Sequence, residues 1–551
     1  MSAQRPALLD NHGRPITRQD VARVRLRASL DSGNRCGAFD AAAIGTADLA
    51  GWTPNLRSPD SALSPERDRM VARMRDLVRN DGWAGGLIAR LCDTVIGPNF
   101  APIPKPNWRA LAHAGAGTID LQWAAEFTAA VRAEWKRFAD DTGRYCDAER
   151  AQTVGQMLRT AFRAKIVDGD SLVATGWRED RPAMAPYSTT YRLIASDRLH
   201  NPFGQPDTLD RRGGVQLDGE GAPQGYWLRQ AAPGDWYAAA GVENYDLFAR
   251  ETDWGRPLLV HDFDREAADQ HRGVGILAAV LPRFRMLAKF DQASLQAALL
   301  RTLVGFFIRS PYDTAQIREA MDSDGADDMG WYQTLREAHH EANRLDMGGV
   351  RMPTLAPGEE IQSVAGGEHA TDFKAFQNAF LGCVAAAGGT SREEITRDFS
   401  ETNYSSYRGA MLIAWATARR RRRDFAANTA TPLYSAWLEE FLDGPGAALL
   451  PAGAPDYVSH RGAYAHADWI GPGRDWVDPV KEREGEEIGL RNGFGTLAST
   501  IGDISGRYWL DVVEENAAER QVLQKFGLAP DYMQPKSTKP APAPQTEGAA
   551  A

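Results

Sequence analysis

The stretch DFSETNYSSYRGAMLIAWATARRRRR, residues 398–423, leaves little choice of local structure. Asp398, Ser400, Thr402 and Asn403 carry side-chain oxygens that accept the orphan N–H groups of a helix's first turn. Tyr404, Tyr407, Met411, Trp415 and Ala418 follow at spacings of three or four, one stripe of a 3.6-residue helix. A long capped helix is therefore predicted, ending in five consecutive arginines. Five successive helical positions point around the whole circumference, so no single face becomes uniformly basic. Three roles stay open for the run: a solvated surface, ion pairing with acidic groups of a neighbouring element or subunit, and direct contact with phosphate.

Composition bears on that choice. The 551 residues carry a net charge of −10, with no basic excess to neutralise phosphates, which argues against a static nucleic-acid grip and favours ion pairing for the arginines over phosphate contact. The hydrophobic fraction of 43% and charged fraction of 25% are those of a soluble globular chain with material for several structural units. Cys36, Cys92, Cys146 and Cys383 show no CxxC spacing, which suggests neither a disulfide framework nor a zinc site and favours a reducing cytoplasm. The first thirty residues hold no apolar run, and the most apolar long stretch, 293–308, is interrupted by Gln296 and Arg301. No membrane segment is expected.

In chain order, residues 1–60 read as a partly ordered arm with one helix near 17–30. Ser64-Pro65 predicts a helix start, with the helix running to Asn80. Helices follow over 83–95, stopped by Gly97-Pro98, then over 121–139 and 154–167, with Pro98–Pro106 as an extended connection. From Gly169 to about Phe263 short β-prone runs at 171–175, 191–194, 224–228 and 258–261 are divided by turn residues, an α+β pattern with no regular βαβ alternation. Helix is predicted over 275–307, with Pro282 near a start or kink. An acidic, loop-rich region spans 308–370, and another striped helix covers 371–387. Pro432 marks a break before a helix containing Leu433, Trp437, Leu438 and Phe441. Two helices fit 479–492 and 511–526, and the tail after Pro530 lacks core-forming residues beyond Met533.

Catalytic patterns are absent by spacing. None of the nine lysines follows a glycine, so no P-loop is encoded. His339-His340-Glu341 has the wrong order for a zinc helix, and adjacent histidines diverge by about 100°. Asp322–Asp328 places its glycine at the fourth position where a calcium loop needs the sixth. Asp168-Gly169-Asp170-Ser171 could pair carboxylates for acid–base work, but it lies between a helix and a strand, where Asp and Gly are the expected turn residues. No metal, cofactor or catalytic residue is assigned.

Several blocks, in order, resemble the lambda-type family of tailed-phage portal proteins. Arg75-Asp76-Leu77-Val78-Arg79-Asn80 with Val95-Ile96-Gly97 is similar to the family's RDL-x-RN … VVG. Gln270-His271-Arg272-Gly273-Val274 precedes a long helix, and Leu355-Ala356-Pro357-Gly358-Glu359-Glu360 is similar to L-x-PGE. The most specific block joins Asp398, Phe399, Ser400, Asn403, Tyr404, Ser405, Ser406 and Arg408, close to DFS-x-x-NYSS-x-R. Asp478-Pro479-x-Lys481 and Phe526-Gly527-Leu528 close the set, which spans about residues 70–530. Ile96-Gly97-Pro98 and Gly388-Gly389-Thr390 depart from the family pattern.

The resemblance implies a ring-forming α+β portal fold with wing, helical stem, clip insert and helical crown. On it, residues 1–60 are a flexible arm, 61–270 the wing, 271–307 the first stem helix, 308–370 the clip and 371–388 the second stem helix. Residues 389–403 then form the channel (tunnel) loop, 404–443 a long wing helix, 444–529 the C-terminal wing and crown, and 530–551 a disordered tail. The implied assembly is a dodecamer at one capsid vertex of the virion, assembled in the bacterial cytoplasm, through which double-stranded DNA passes. Its implied partners are the terminase large subunit, the major capsid protein and head-completion or tail connector proteins. Arg392 and Arg397 would be the cations of the channel loop, offset by Glu393, Glu394 and Asp398, and Arg421 and Arg422 the candidates for ion pairs between subunits. A non-channel connector or capsid-vertex protein, or a packaging nuclease, is the alternative, the nuclease needing clustered acidic metal ligands.

Overall fold

The computed structural model describes residues 52–527, apart from 116–117, 183–184, 233, 235–243, 303–305, 401, 475–478 and most of 310–369. The chain divides into two units, Met1–Ala62 and Leu63–Ala551, and the elements below belong to the second. The described residues are mixed α and β and mostly helical.

Helix α1, Arg67–Asn80, buries Val71, Met74, Leu77 and Val78, one stripe of its surface. The expected cap Ser64 is displaced. Glu66 holds the N-cap position without a side-chain bond, while the Ser64 hydroxyl donates to Asp207 at 2.6 Å. Helix α2, Gly82–Val95, starts at Asp81, whose carboxylate accepts from the N–H groups of Trp83 and Ala84. Helix α3, Leu121–Ala139, has the predicted bounds and buries Trp123, Phe127, Val131, Trp135 and Phe138. Helix α4, Val154–Asp168, opens on a Thr153/Gln156 capping box and closes at Gly169, whose φ of 92° suits a residue without Cβ.

The short connection Ala101–Pro104 is a strand, β1, despite Pro102 and Pro104. At a sheet edge the missing N–H groups cost nothing. The strands β2 (Asp170–Trp177), β3 (Thr189–Ile194), β4 (Arg211–Arg212), β5 (Val215–Leu217), β6 (Pro223–Arg229), β7 (Tyr245–Ala249) and β8 (Leu259–Phe263) follow. They form a three-stranded sheet ordered β3-β2-β8 and a four-stranded sheet β4-β5-β6-β7, all pairs antiparallel.

The predicted helix over 275–307 is shorter in the structure. A 3₁₀ turn at Ala278–Val280 leads into α5, Leu281–Thr302, with Pro282 in its first turn. The chain then turns extended as β9, Phe306–Arg309, which pairs with β12, Glu360–Ser363, while β10, Arg344–Met347, pairs with β11, Val350–Pro353. The acidic run 322–328, the pair His339-His340, the block 355–359, most of the arm 1–60 and the tail 530–551 lie outside the described residues. Helix α6, Ala370–Gly388, packs beside α5, with the Phe290 and Phe376 rings 4.3 Å apart.

Helix α8, Tyr404–Phe425, does not break before Pro432. It passes through a π-helical segment, Ala426–Ala430, into α9, Thr431–Asp443. The Thr431 N–H reaches back five residues to the Ala426 carbonyl, and Pro432, which has no N–H to place, sits in the first turn of α9. α9 carries the centre of the core. Trp437 lies edge-on to Trp135 at 5.1 Å and stacks on Phe138 at 5.8 Å and Phe441 at 5.4 Å. A ring buried in this way removes 150–250 Å² from water, worth roughly 4–6 kcal/mol of gross apolar gain. Strand β13, Ala467–Ile470, returns to pair with β1, and α10 (Pro479–Arg491), α11 (Leu497–Ser505) and α12 (Trp509–Lys525) complete the described chain. α11 was not expected from the sequence. Among the described residues no helix is long and apolar enough to cross a membrane.

Candidate functional site

The segment between α6 and α8 is built from local hydrogen bonds. Gly389 leaves α6 with φ 66°, and an added Cβ there would lie 3.0 Å from the Thr417 methyl. Ser391 and Glu394 form a capping box for the single-turn helix α7, Arg392–Thr396. Glu394 is further held by the Thr390 hydroxyl and lies 3.5 Å from the Arg90 guanidinium, which ties α7 to α2. Arg392 pairs with Glu393 at 3.1 Å, so two of the expected loop charges neutralise each other within one turn. Arg397 closes α7 in the left-handed region, φ 55°, with its side chain exposed. Asp398 accepts from the Ser400 N–H at 3.0 Å and hydroxyl at 2.6 Å, and that hydroxyl holds its carboxyl below the usual range. Of the five expected loop charges, Arg397 and Asp398 face solvent, while Arg392, Glu393 and Glu394 are half-buried.

Asn403 is the cap of α8, accepting from the Ser406 N–H at 2.8 Å and hydroxyl at 2.5 Å. Phe399 sits edge-on to Tyr407 at 5.0 Å, packing the preceding turn against the first turns of α8. The family block from Asp398 to Ser406 is thus a turn followed by a cap. Tyr404, Ser405 and Arg408 are exposed, and the predicted stripe is only partly buried: Ala418 is in the core, Tyr407, Met411 and Trp415 are half-buried and Tyr404 faces solvent.

The arginine run divides by position. Arg419, Arg420 and Arg423 are exposed, Arg420 pairing with Asp424 at 3.1 Å. Arg421 and Arg422, expected to meet acidic groups of a neighbouring subunit, donate to carbonyl oxygens of their own chain. Arg421 reaches Gly388 O at 2.7 Å, and Arg422 reaches Val95 O at 2.8 Å and Thr94 O at 2.9 Å. These carbonyls belong to the last turns of α6 and α2, which have no intrahelical partners and carry the negative end of the helix dipole. The Arg422 guanidinium also lies over the Trp415 ring. Burial lowers it to about 10, well above neutrality, so it stays charged.

A second arrangement joins two family blocks that the sequence left unconnected. The turn Asp168-Gly169-Asp170 is their meeting point. Arg75, from the first block, forks onto Asp168 at 2.9 and 2.7 Å and reaches Asp197 at 2.8 Å. Arg272, from the second block, bonds Asp170 at 2.7 Å and caps the carbonyls of Leu199, Gly213 and Ser196. Arg67 adds a third guanidinium, 2.6 Å from Asp170, and the Gly273 N–H a further donor at 2.6 Å. Burial pushes the Asp170 carboxyl upward, but the charges of Arg272 and Arg67 override it and hold the group well below the ordinary carboxylate range. Gly273 packs on Gly169 so closely that an added Cβ would fall 2.0 Å from the Gly169 carbonyl oxygen. A parallel network holds Asp262 of β8 between Lys165, at 2.9 and 3.0 Å, Thr429 at 2.9 Å and Asn428 at 3.1 Å. Held in this way, these carboxylates position elements of the fold. Their signal in the sequence was the co-occurrence of an Asp-Gly-Asp turn with arginines in two blocks. Among the described residues no group of three His, Cys, Asp or Glu could hold a metal ion.

Comparison with known proteins agrees with the motif blocks. The family described as phage portal protein, lambda family, matches residues 46–422. The portal protein of Escherichia phage N15 is 29% identical over 490 residues, covering 88% of this chain and 89% of that protein. Portal protein B of Escherichia phage lambda is 27% identical over 487 residues, again covering 88% and 89%. A chain in the neck of a native GTA particle computed with C12 symmetry aligns over 73% of this chain and 94% of its own at 14% identity. Its TM-score is 0.34. The family match spans more than half of the chain, and the protein belongs to the lambda family of phage portal proteins, structural components of the virion rather than enzymes.

Proposed function

We propose that twelve copies of this chain form a ring at one capsid vertex, with a central channel through which double-stranded DNA is packaged and later ejected. Family membership carries the reading, and the physical features support it. A conduit must let DNA slide, which suits a chain of net charge −10 better than a phosphate-gripping surface would. The side-by-side helices α5 and α6 bracket the strand pairs β9–β12 and β10–β11, which supports reading them as two stem helices around a clip that meets the terminase large subunit. On this reading residues 61–270 are the wing, 389–403 the channel loop, α8 and α9 the long wing helix and 444–529 the wing continuing into the crown. The major capsid protein and head-completion or tail connector proteins dock on the outer faces.

The exposed Arg397 is the loop cation assigned to the channel. Electron microscopy of the purified protein tests the whole: rings with a hole of roughly 20 Å or more, wide enough for a duplex, are expected. Globular monomers at every concentration would count against it. In packaging assays Arg397→Ala is expected to change the length or retention of packaged DNA while rings still assemble; loss of assembly in this variant would remove the loop from the channel. Arg421 and Arg422 act on this reading from inside the subunit, fixing α6 and α2 against α8, so that ion pairs between subunits fall to the exposed members of the run.

A further inference from the structure

A cleft of about 1740 Å³ lies between β8 and the chain just past β7 on one side and the end of α8 on the other. That volume exceeds what a small ligand fills. Arg250 and Arg265 rise from the strand side and Arg419 and Arg423 from the helix side, all four exposed. Of the five acids that line it, Asp262 is held by Lys165, Asp424 by Arg420 and Asp468 by Lys105, which leaves Glu251 and Asp503 against the four arginines. The cleft therefore keeps a net positive lining on a chain whose overall charge is −10.

The complement lies at the other end of the chain. Helices α11 and α12 bury no residue in their own chain, although Leu497, Val513, Val522 and Phe526 are exposed there. Residues 479–525 hold nine Asp and Glu against six Lys and Arg, with Glu484, Glu514 and Glu519 exposed. Helices this short gain their stability from packing, so an acidic three-helix segment with an unfilled apolar surface needs a partner. A closed ring is built from heterologous contacts, in which each copy offers two different and complementary patches. We propose that the arginine cleft of one subunit receives the acidic C-terminal helices of the next. This rests on the ring reading and adds its electrostatic register: Arg419 and Arg423, with Arg250 and Arg265 opposite, face Glu514 and Glu519 of the neighbouring copy.

The test is a charge swap in the full chain. Arg419→Glu/Arg423→Glu should leave the thermal melt of the subunit unchanged and abolish rings in size-exclusion light scattering and negative-stain images. Arg250→Glu/Arg265→Glu on the opposite wall should do the same, and either pair serves if the other fails to fold. Adding Glu514→Lys/Glu519→Lys to a cleft variant should restore rings, and wild-type rings should loosen with rising salt. Cleft variants that assemble as wild type overturn the proposal. Assembly lost without restoration by the swap overturns the assignment of the C-terminal helices. Intact rings that lose only duplex-DNA binding reassign the cleft to nucleic acid. A wild-type protein that never forms rings defeats the ring reading itself, a separate outcome.

Discussion

Arg422 donates its Nε–H to the carbonyl oxygen of Val95 at 2.8 Å, across a sequence separation of 327 residues. Its terminal nitrogen takes Thr94 O in the same fork. One side chain thereby closes the C-terminus of α2 from the last turn of α8, and its neighbour Arg421 does the same for α6. Two consecutive residues, about 100° apart on the helix, are needed to reach two helices on different sides.

Removal of this fork should be felt in the monomer. Arg422→Ala leaves two partly buried carbonyls without their donor, a loss of about 1–3 kcal/mol. Arg422→Lys should recover less than half of it, because an ammonium cannot present a planar fork to two acceptors. Arg419→Ala, on the exposed side of the run, should change stability by less than about 0.5 kcal/mol. Urea titration of the unassembled subunit measures all three.

The buried turn at Asp168–Asp170 makes stability depend on acid. The folded-state pKa of Asp170 is depressed, so its contribution is complete above the unfolded value of about 3.9 and is lost as pH falls toward the folded one. His261, beside it at 3.4 Å, is lowered by burial and prefers to stay neutral, so it subtracts stability as pH drops below about 6.5. Stability should thus decline below about pH 6.5 and more steeply below about pH 4. Asp170→Asn should cost roughly 3–5 kcal/mol at neutral pH, since Arg67 and Arg272 stay buried without their counter-charge. It should also flatten the steep acid branch, and an unchanged acid branch in that variant would assign the dependence elsewhere.

Gly273 offers a steric check on the same site. Gly273→Ala would drive its methyl into the Gly169 carbonyl, backbone against backbone, with no flexible side chain to yield. A loss of about 3 kcal/mol or more is expected, at the upper end of overpacking costs. Gly155→Ala, in a helix with open space around the new methyl, should be neutral or stabilising by up to about 1 kcal/mol. Parallel thermal melts separate the two.

What could be read from the sequence follows the range of the forces involved. α3 was legible to its end residues because Trp123, Phe127, Val131, Trp135 and Phe138 write a period of 3.6 and Asp120 caps it locally. Ser64 misled because its hydroxyl has a better acceptor in Asp207, 143 positions away. β1 was hidden by its prolines, which are tolerated only because its partner β13 lies 366 residues later in register with it. In the candidate loop the caps at Ser391 and Asn403 depend on neighbours and their residue types announce them. The carbonyl partners of Arg421 and Arg422 do not: backbone oxygens carry no residue identity, so a sequence that shows arginines and carboxylates suggests ion pairs and conceals caps.

The π-helical segment supplies the last prediction. Its extra residue per turn rotates Thr429 toward β8, where the hydroxyl donates to Asp262 at 2.9 Å in a fully buried setting. Asn428, one position earlier, donates to the other carboxylate oxygen at 3.1 Å from an exposed backbone position. Thr429→Val keeps the side chain's shape and removes the donor from a buried carboxylate, which should cost about 1–3 kcal/mol. Asn428→Ala should cost less than about 1 kcal/mol, because water can reach the site it vacates. The paired loss should exceed the sum of the two, since Lys165 would then be the main remaining partner of Asp262 and the charge pair would be less fully bonded. A double-mutant cycle by urea unfolding gives the coupling directly. Zero coupling would mean that the π turn is held by the packing of α9 alone and that its contact with β8 is incidental.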